Sequence, residues 1–370
     1  MGIKLEPILT RKKINLSQIK GTIIAIDAPN IIMSLLSFSL KNPIQNRTKG
    51  ISNNSLILDR TQRPISHLYG LLYRIKFLYK NKIFPIFCFD GRVSPLKRLI
   101  TKNQLNDFRI TEKRYINALN NDNTTLARKI ALSREYLWPN IMKESKELLH
   151  AIGIPVIESP AAAEAQCAHL VKKGIADISN SQDYDSVLFG CPKLLQNLSK
   201  SHRRKIHGRW VYKRVDPLLT DLQENLKRLE LNQFQLIDLA ILLKTDYFDG
   251  ITSIGPKTGL KLIQRYHTLE SLISHENNSY DFSKLTSRLI QEIRKLFLLP
   301  DVLDSFTDLY WNPPNTHNIF HLLCEEHHLN RERVERNTRI LVDNFYKCLK
   351  FFQYEMKQTK TIQKTLDMML

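Results

Sequence analysis

The chain has few cysteines and no long apolar run. Its five cysteines are scattered, odd in number and free of any Cys-x-x-Cys pair, which is typical of reduced thiols inside a cell rather than a disulfide framework. No apolar segment approaches the roughly 20 residues needed to cross a bilayer, and residues 1–5 lead into a mixed polar segment rather than a signal peptide. We therefore expect a soluble, intracellular protein without membrane contact.

The chain is also short of acidic side chains relative to basic ones. It carries 55 lysines and arginines against 36 aspartates and glutamates, which gives a formal net charge of +19. Such an excess is either solvated or met by a polyanion, with nucleic acid the first candidate and an anionic membrane surface the second. A merely basic soluble protein is the alternative, and the apolar content of 42% predicts a real core in each case.

Several of the acidic residues lie at the ends of apolar runs or next to a turn. Asp27 and Asp90 each end a short apolar run, and Asp246 precedes a Gly-Pro-Lys turn. Acids at strand ends meet in one crevice of an α/β sheet, where clustered carboxylates repel each other unless cations lie between them. Any one of these acids could be an ordinary helix cap. Together they predict a divalent-metal site with six candidate ligands: Asp27, Asp90, Glu164, Asp183, Asp185 and Asp246.

These candidate ligands also indicate the metal and the chemistry. All six supply hard oxygen donors, which favours Mg²⁺. Two such ions about 4 Å apart can activate water and stabilise the leaving oxygen of a phosphodiester. A basic protein body around an acidic pocket therefore suits a phosphodiester substrate.

Short apolar runs alternate with helical patterns along the first half of the chain. This alternation predicts an α/β fold with a mainly parallel central sheet flanked by helices. The runs at residues 22–27, 83–90, 154–158 and 175–179 predict strands, residues 126–151 and 161–173 predict helices, and residues 203–206 and 210–212 predict a basic hairpin. Residues 41–64 have little periodicity and predict a long exposed loop. Residues 324–328 lack a second ligand pair at zinc-finger spacing, so we expect an exposed helical stretch there.

A second motif begins at Gly255. A glycine-containing turn that opens a helix presents free backbone N–H groups to a phosphate. Lys257, Lys261 and Arg265 repeat every four residues and so share one helix face. This arrangement favours a sequence-independent grip on a duplex backbone, with a merely solvated basic face as the alternative.

These segments together resemble the flap endonuclease family, the structure-specific 5′ nucleases of replication and repair. The resemblance covers nearly the whole chain and is closest to the archaeal branch. It rests on an ordered set of motifs: Met1-Gly2-Ile3, Ser66-His67-Leu68-Tyr69-Gly70, Phe89-Asp90-Gly91, Gly153-Ile154-Pro155, Ser181-Gln182-Asp183-Tyr184-Asp185, Thr245-Asp246-Tyr247 and Gly255-Pro256-Lys257.

The resemblance implies a function and its partners. It implies 5′ flap endonuclease and 5′–3′ exonuclease activity in Okazaki fragment maturation and long-patch base excision repair, with two Mg²⁺ ions per site and Mn²⁺ as a substitute. The implied substrate is branched DNA with a 5′ flap. The implied protein is a monomer, in the cytoplasm or nucleoid if archaeal and in the nucleus if eukaryotic.

The resemblance also assigns roles to residues. All six acids would hold the metals, and Asp27, Asp90, Asp183 and Lys97 would act in catalysis, with Lys97 steering the scissile phosphate. DNA contacts would come from Gly2, Arg74, Lys97, Lys244, Asp246, Gly255, Lys257, Lys261 and Arg265. The implied regions are a nuclease segment 1–98, a basic helical arch 99–127, a second nuclease segment 128–245, a helix-two-turn-helix element 246–273, a helical region 274–356 and a tail 357–370.

The tail resembles the family's box for binding the sliding clamp (PCNA). The box is Gln-x-x-aliphatic-x-x followed by two bulky apolar residues, and here these positions hold Gln363, Leu366, Met369 and Leu370. In such a box the apolar side chains of a short helical turn fill a pocket. A frayed amphipathic terminus is the alternative.

Three positions depart from the family pattern. Ala162 stands where the first of two glutamates is expected, Gln104 replaces an arch arginine, and Met33 replaces an aromatic that would stack on a base. The loss at Ala162 removes a negative charge and an oxygen contact near the metals. These departures leave open a catalytically weakened or inactive DNA- and clamp-binding protein of the same fold. A gap or junction nuclease is a third, less favoured alternative.

Overall fold

The computed structural model describes residues 3–40, 57–91, 104–198, 201–206, 209–306 and 309–367. Four predicted functional residues lie outside the described residues: Gly2, Lys97, Met369 and Leu370. The chain divides into two compact units. The first comprises Met1–Asn30, Ile86–Leu99 and Ile157–Thr307, and the second comprises Ile31–Pro85, Ile100–Val156 and Asp308–Leu370.

A seven-stranded sheet forms the centre of the first unit, and a separate two-stranded hairpin is also present. The strands are β1 (Lys12–Lys13), β2 (Ile23–Asp27), β3 (Phe84–Phe89), β4 (Val156–Glu158), β5 (Ile178–Asn180), β6 (Lys193–Gln196), β7 (Ser201–Ile206), β8 (Arg209–Arg214) and β9 (Leu218–Asp221). The order across the sheet is β1-β9-β6-β5-β2-β3-β4. Strand β5 runs parallel to both β2 and β6, whereas β9 pairs antiparallel with β6 and β1.

The α/β fold is confirmed, with a parallel centre and an antiparallel edge. All four predicted strands are present; β2 and β3 begin one residue later than expected, and β4 and β5 begin two and three residues later. Strand β4 begins after Pro155, which lacks the N–H that a ladder needs. Strand β5 begins only at Ile178 because Ile175 and Ala176 donate to the carbonyl of Leu170 and close the preceding helix. Strands β1, β6 and β9, which lie on one side of β5, were not predicted, since their sequences show no alternation of apolar and polar residues.

Seven α-helices lie in the described part of the first unit. They are α6 (Ala163–Lys172), α7 (Asp185–Leu188), α8 (Leu222–Leu229), α9 (Gln233–Leu243), α10 (Pro256–Tyr266), α11 (Leu269–Glu276) and α12 (Ser287–Leu298). Buried Arg294 on α12 donates to both carboxylate oxygens of Asp238 on α9, at 2.7 Å each, and to Glu270 on α11 at 2.6 Å. This three-way ion pair joins α9, which precedes Asp246, to α11 and α12, which follow it.

The second unit is mainly helical. Its helices include most of α1 (Ala28–Leu40), together with α2 (Ser66–Lys80), α3 (Gln104–Asn120), α4 (Thr124–Ala131), α5 (Arg134–Ile152), α13 (Thr316–Phe320) and α14 (Arg331–Asp367), with a π-helical turn at His321–Glu326. Helix α14 packs along α2, where the rings of Tyr79 and Phe345 meet edge to face with centroids 5.5 Å apart. The single helix predicted over residues 126–151 is two helices, because Ser133 adopts an extended conformation between α4 and α5.

A buried charged cluster in the second unit corrects two predictions. His327 lies between Asp59 and Glu144, with Nδ1 2.8 Å from Asp59 Oδ2 and Nε2 3.2 Å from Glu144 Oε1. His67 and Arg63 also contact Glu144, at 3.1 and 3.3 Å. Asp59 and His327 are both buried. The predicted exposed loop over residues 41–64 is therefore wrong at Asp59, and the predicted exposed stretch over residues 324–328 is wrong at His327.

The protonation of this cluster follows from its contacts. Burial tends to lower the pKa of His327, but hydrogen bonds to Asp59 and Glu144 raise it above its ordinary value. Burial lowers the pKa of His67. Burial tends to raise the pKa of Glu144, but the bonds to His327 and His67 hold it well below the usual range. The contacts therefore favour the charged form of His327 and burial favours the neutral form of His67, beside the permanent positive charge of Arg63.

The predicted basic hairpin is confirmed. Strands β7 and β8 pair antiparallel from Ser201 opposite Arg214 to Ile206 opposite Arg209. Among the residues that the structure describes, no helix is both long and apolar enough to cross a membrane.

Candidate active site

Asp27 lies at the carboxyl end of β2, near the middle of the sheet. Its side chain is almost fully buried. Burial, followed by the nearby charge of Asp90, raises the pKa of Asp27 to about 7. A carboxylate in this position is costly to ionise unless a cation lies close to it.

Asp90 and Glu164 approach Asp27 from β3 and α6. Asp90 follows β3, and its Oδ1 accepts a hydrogen bond of 2.8 Å from the backbone N–H of Ala163, at the start of α6. Glu164 lies in the first turn of that helix. Burial and then the charges of Asp27 and Asp90 raise the pKa of Glu164 well above its ordinary value. The charges of Asp27 and Asp90 therefore both act on the carboxyl group of Glu164.

Asp183, Asp185 and Asp246 form the other part of the site. Asp183 follows β5, Asp185 begins α7, and Asp246 lies between α9 and α10. Burial, followed by the charges of Asp246 and Asp183, raises the pKa of Asp185 to about 7. Asp185 also contributes to the raised pKa of Glu164. The structure thus brings all six predicted acids into one electrostatically connected group.

The residues fit a divalent cation. Asp185 Oδ1 is buried and accepts no hydrogen bond from any residue that the structure describes, so one carboxylate oxygen lacks the partner that burial demands. Across the described ranges, no three Asp, Glu, His or Cys side chains converge tightly enough to chelate one ion. The donors that the site offers are carboxylate oxygens, the hard ligands that Mg²⁺ takes.

Two polar residues that were not predicted hold the acids in place. Asn30 donates from Nδ2 to Asp183 Oδ2 at 2.9 Å, and its backbone N–H donates to Asp27 Oδ1 at 3.2 Å. Ser181 Oγ donates to Asp27 Oδ2 at 2.8 Å. Asn30 comes three residues after Asp27, and Ser181 comes two before Asp183. Short polar side chains at such offsets bond locally to turns, and this signal would have indicated them.

Ala162 occupies the position of the missing glutamate. It is the N-cap residue of α6, with extended backbone angles, and no side-chain hydrogen bond caps the helix from this position. It immediately precedes Ala163, whose N–H binds Asp90. A helix N-terminus favours negative charge, so a glutamate at this position would add a carboxylate where one is electrostatically favoured.

The predicted duplex-binding motif is present as a helix with an exposed basic face. Gly255 caps α10, which begins at Pro256 as the sequence predicts. Lys257, Lys261 and Arg265 are all exposed along this helix. Their contact with DNA remains a prediction.

The other predicted DNA-contacting residues differ in exposure. Arg74 lies on α2 and is buried, which lowers its pKa to about 10. Lys244 ends α9, is exposed, and pairs with Asp249 at 3.2 Å. Met33, which replaces an expected aromatic, is about half exposed on α1. Gln363 and Leu366 of the tail lie on the last turns of α14.

Family models match both halves of this site. The XPG N-terminal domain matches residues 1–108, a range that contains Asp27 and Asp90. The XPG I-region matches residues 153–246, which contain Glu164, Asp183, Asp185 and Asp246.

Named relatives and a solved structure agree with these matches. The chain is 37% identical over 337 residues to flap endonuclease 1 of Caldivirga maquilingensis, covering 90% of this chain and 91% of that protein. It is 34% identical to flap endonuclease 1 of Methanosarcina acetivorans, covering 91% and 94%. The structure of flap endonuclease-1 from Methanococcus jannaschii superposes with a TM-score of 0.69 at 26% identity, covering 94% of this chain and 99% of that one. Its six acids lie within the two matched regions, and relatives at 34–37% identity cover nine-tenths of its length; the chain belongs to the flap endonuclease family.

Proposed function

We propose that this protein is a Mg²⁺-dependent, structure-specific 5′ flap endonuclease with 5′–3′ exonuclease activity. The observation that carries the proposal is the group of six acids, three of them with raised pKa values, on the scaffold of that family. The substrate would be branched DNA with a 5′ flap, cleaved during Okazaki fragment maturation and long-patch base excision repair. Mn²⁺ would substitute for Mg²⁺.

The six acids would bind two metal ions between them. One set would be Asp27, Asp90 and Glu164 and the other Asp183, Asp185 and Asp246. The two sets interact, since the charge of Asp183 acts on Asp27 and that of Asp185 on Glu164. Bound metal would supply Lewis-acid chemistry, activating the attacking water and stabilising the leaving oxygen. Asp90 also accepts the N–H of Ala163, which fixes its carboxylate against α6.

The remaining predicted residues would bind the DNA and the clamp. Lys257, Lys261 and Arg265 would grip the duplex phosphates from α10, with Gly255 presenting N–H groups at its start. Gly2, Arg74 and Lys244 would meet DNA near the cleavage point, and Lys97 would steer the scissile phosphate. Gln363, Leu366, Met369 and Leu370 would dock the protein, as a monomer, on the sliding clamp (PCNA).

A cleavage assay tests the activity together with the missing carboxylate. The protein is incubated with a labelled double-flap duplex over a range of Mg²⁺ concentrations, beside the Ala162→Glu variant. We expect the unmodified protein to release the flap. We expect Ala162→Glu to lower the Mg²⁺ concentration for half-maximal rate by on the order of tenfold, the scale on which changes beside a metal alter affinity.

Two further variants control this assay. Ala161→Glu adds the same charge one residue away, off the family position, and we expect it to leave the Mg²⁺ requirement higher than Ala162→Glu does. Asp27→Asn removes a ligand and should abolish cleavage. Intact flap DNA at every Mg²⁺ concentration, with both the unmodified protein and Ala162→Glu, would refute the proposed activity.

A further inference from the structure

A closed ring of hydrogen bonds joins two acids of the site through Asn30 and Ser181. Ser181 Oγ donates to Asp27 Oδ2 at 2.8 Å and accepts the backbone N–H of Asp183 at 3.2 Å. Asn30 Nδ2 donates to Asp183 Oδ2 at 2.9 Å, and the Asn30 backbone N–H returns to Asp27 Oδ1 at 3.2 Å. Gln182 supports the ring from outside, donating its N–H to Asn30 Oδ1 at 2.9 Å.

Strand register creates this ring. Strands β2 and β5 are parallel neighbours, with Ile26 opposite Asn180. The next residue of each strand is therefore Asp27 on one side and Ser181 on the other. The first turn of α1 then returns Asn30 over Asp27. The ring thus depends on the register between β2 and β5.

The donors and acceptors of the ring fix the orientation of its side chains. A serine hydroxyl has one proton, and that of Ser181 is committed to Asp27. The amide of Asn30 can face only one way, because its oxygen receives an N–H and its nitrogen faces a carboxylate. Each oxygen of Asp27 receives one donor, which leaves its remaining lone pairs pointing away from the ring.

We infer that Asn30 and Ser181 are positioning residues that set the spacing between Asp27 and Asp183, and so between the two groups of metal-binding acids. This inference rests on the proposed function. The charges of Asp90 and Asp183 both act on Asp27, and those of Asp246 and Asp183 act on Asp185, so the distance between Asp27 and Asp183 joins the two sets of acids. Asn30 and Ser181 bond directly to the acids of the site, and they act by orienting them.

The test measures Mg²⁺ binding first, without DNA, as the rise in melting temperature during a Mg²⁺ titration of the full chain. Asn30→Leu removes both amide contacts at similar size, and Ser181→Ala removes the hydroxyl. Groups that orient metal ligands alter metal affinity by about 10- to 100-fold when removed. We expect both variants to raise the Mg²⁺ midpoint, the concentration that gives half of the rise in melting temperature, by about that factor. Ser181→Thr keeps a hydroxyl, so its midpoint should return most of the way to that of the unmodified protein.

Asn225→Leu is the matched control for a purely structural asparagine. Asn225 is buried in the same unit and bonds to Thr10 and to the carbonyl of Asp221, away from the acids. This variant should lower the melting temperature without Mg²⁺ and leave the Mg²⁺ midpoint unchanged. Affinity for double-flap DNA in EDTA should be the same for all variants, because the ring does not grip DNA.

The outcomes separate this inference from the proposed activity. An unchanged Mg²⁺ midpoint in Asn30→Leu and Ser181→Ala, or an equal shift in Asn225→Leu, would overturn the positioning role even if the unmodified protein cleaves flaps. A shifted midpoint in the two ring variants, together with no flap cleavage by the unmodified protein, would support the positioning role while the proposed activity fails.

Discussion

At the scale of single residues, the backbone of Lys244 is unusual. Its φ of 149° lies in the region that favours glycine, two residues before Asp246. A side chain held at such an angle costs about 1–3 kcal/mol. The exposed ion pair with Asp249 at 3.2 Å offsets little of that cost. Strain is therefore stored directly beside a predicted metal ligand.

Replacing this lysine tests the strain. Lys244→Gly should raise the free energy of unfolding by about 1 kcal/mol, since the relieved strain exceeds the extra entropy that glycine loses on folding. Chemical denaturation measures it. Lys244→Ala is the control, because it removes the same ion pair but keeps a Cβ. Equal unfolding free energies for the two variants would show that the backbone angle is not the cause.

The acids of the site were predictable because each follows a recognisable run or motif in sequence. Asp27 and Asp90 end apolar strands, and Asp183 lies in an acidic loop after one. The offsets of Asn30 from Asp27 and of Ser181 from Asp183 mark them as candidates, but the bonds that each makes across the sheet depend on strand register, which the sequence does not show. His327 was missed for a similar reason: its partners Asp59 and Glu144 lie more than 180 residues away along the chain.

At the scale of elements, the start of α6 is packed tightly against the end of β3. The backbone N–H of Gly91 donates to the carbonyl of Ala161 at 2.8 Å, and Ser159 donates to the carbonyl of Phe89. A Cβ at Gly91 would lie 1.8 Å from the carbonyl oxygen of Ser159. No side chain fits there, so this glycine keeps Asp90 against α6.

A pair of glycine substitutions tests this packing. Gly91→Ala should destabilise the protein by about 1–3 kcal/mol or more, because backbone atoms have to move, and it should also weaken Mg²⁺ binding by displacing Asp90. Gly255→Ala is the matched control, since nothing lies within 4 Å of its added Cβ. Denaturation and a Mg²⁺ titration measure both effects. Equal losses in the two variants would contradict the packing argument.

Element prediction succeeded where the apolar pattern is long and failed where elements are short or interrupted. Strand β2 and helix α10 were recognised from composition and turn chemistry. The break between α4 and α5 was missed because Leu132 and Ser133 continue a helical pattern while the backbone of Ser133 is extended. Strands β6 and β9 have four residues each and show no alternating apolar pattern from which a strand could be predicted.

At the scale of the whole molecule, the net charge of +19 contrasts with the acidic site. The excess positive charge is carried partly by exposed faces such as that of Lys257, Lys261 and Arg265 on α10. A basic surface draws DNA toward the protein over a distance set by salt screening. The acids then require cations before a phosphate can approach them.

The salt dependence of duplex binding tests whether the basic face of α10 attracts DNA. Each phosphate contact contributes a slope of about −0.9 to the dependence of log affinity on log salt. Replacing Lys257, Lys261 and Arg265 together by glutamine should therefore weaken duplex binding and make the slope shallower by up to about 3. Fluorescence anisotropy with a duplex of arbitrary sequence, at several salt concentrations, measures it.

A charge-matched variant controls for net charge alone. Replacing Arg339, Lys347 and Lys350 on α14 by glutamine removes three exposed positive charges from the second unit. This variant should keep most of the slope of log duplex affinity against log salt concentration. A slope reduced equally in both triple variants would show that α10 has no special role in holding the duplex.

The pairing of α2 with α14 has a consequence for synthesis on the ribosome. The two helices pack together in the second unit, yet about 250 residues separate Lys80 from Arg331. At ordinary translation rates that gap takes roughly 10–50 s to make. During this time the apolar face of α2, including Tyr79, has no α14 to cover it. The nascent chain therefore carries an exposed apolar helix that chaperones would recognise, and it cannot complete its second unit until the last helix emerges.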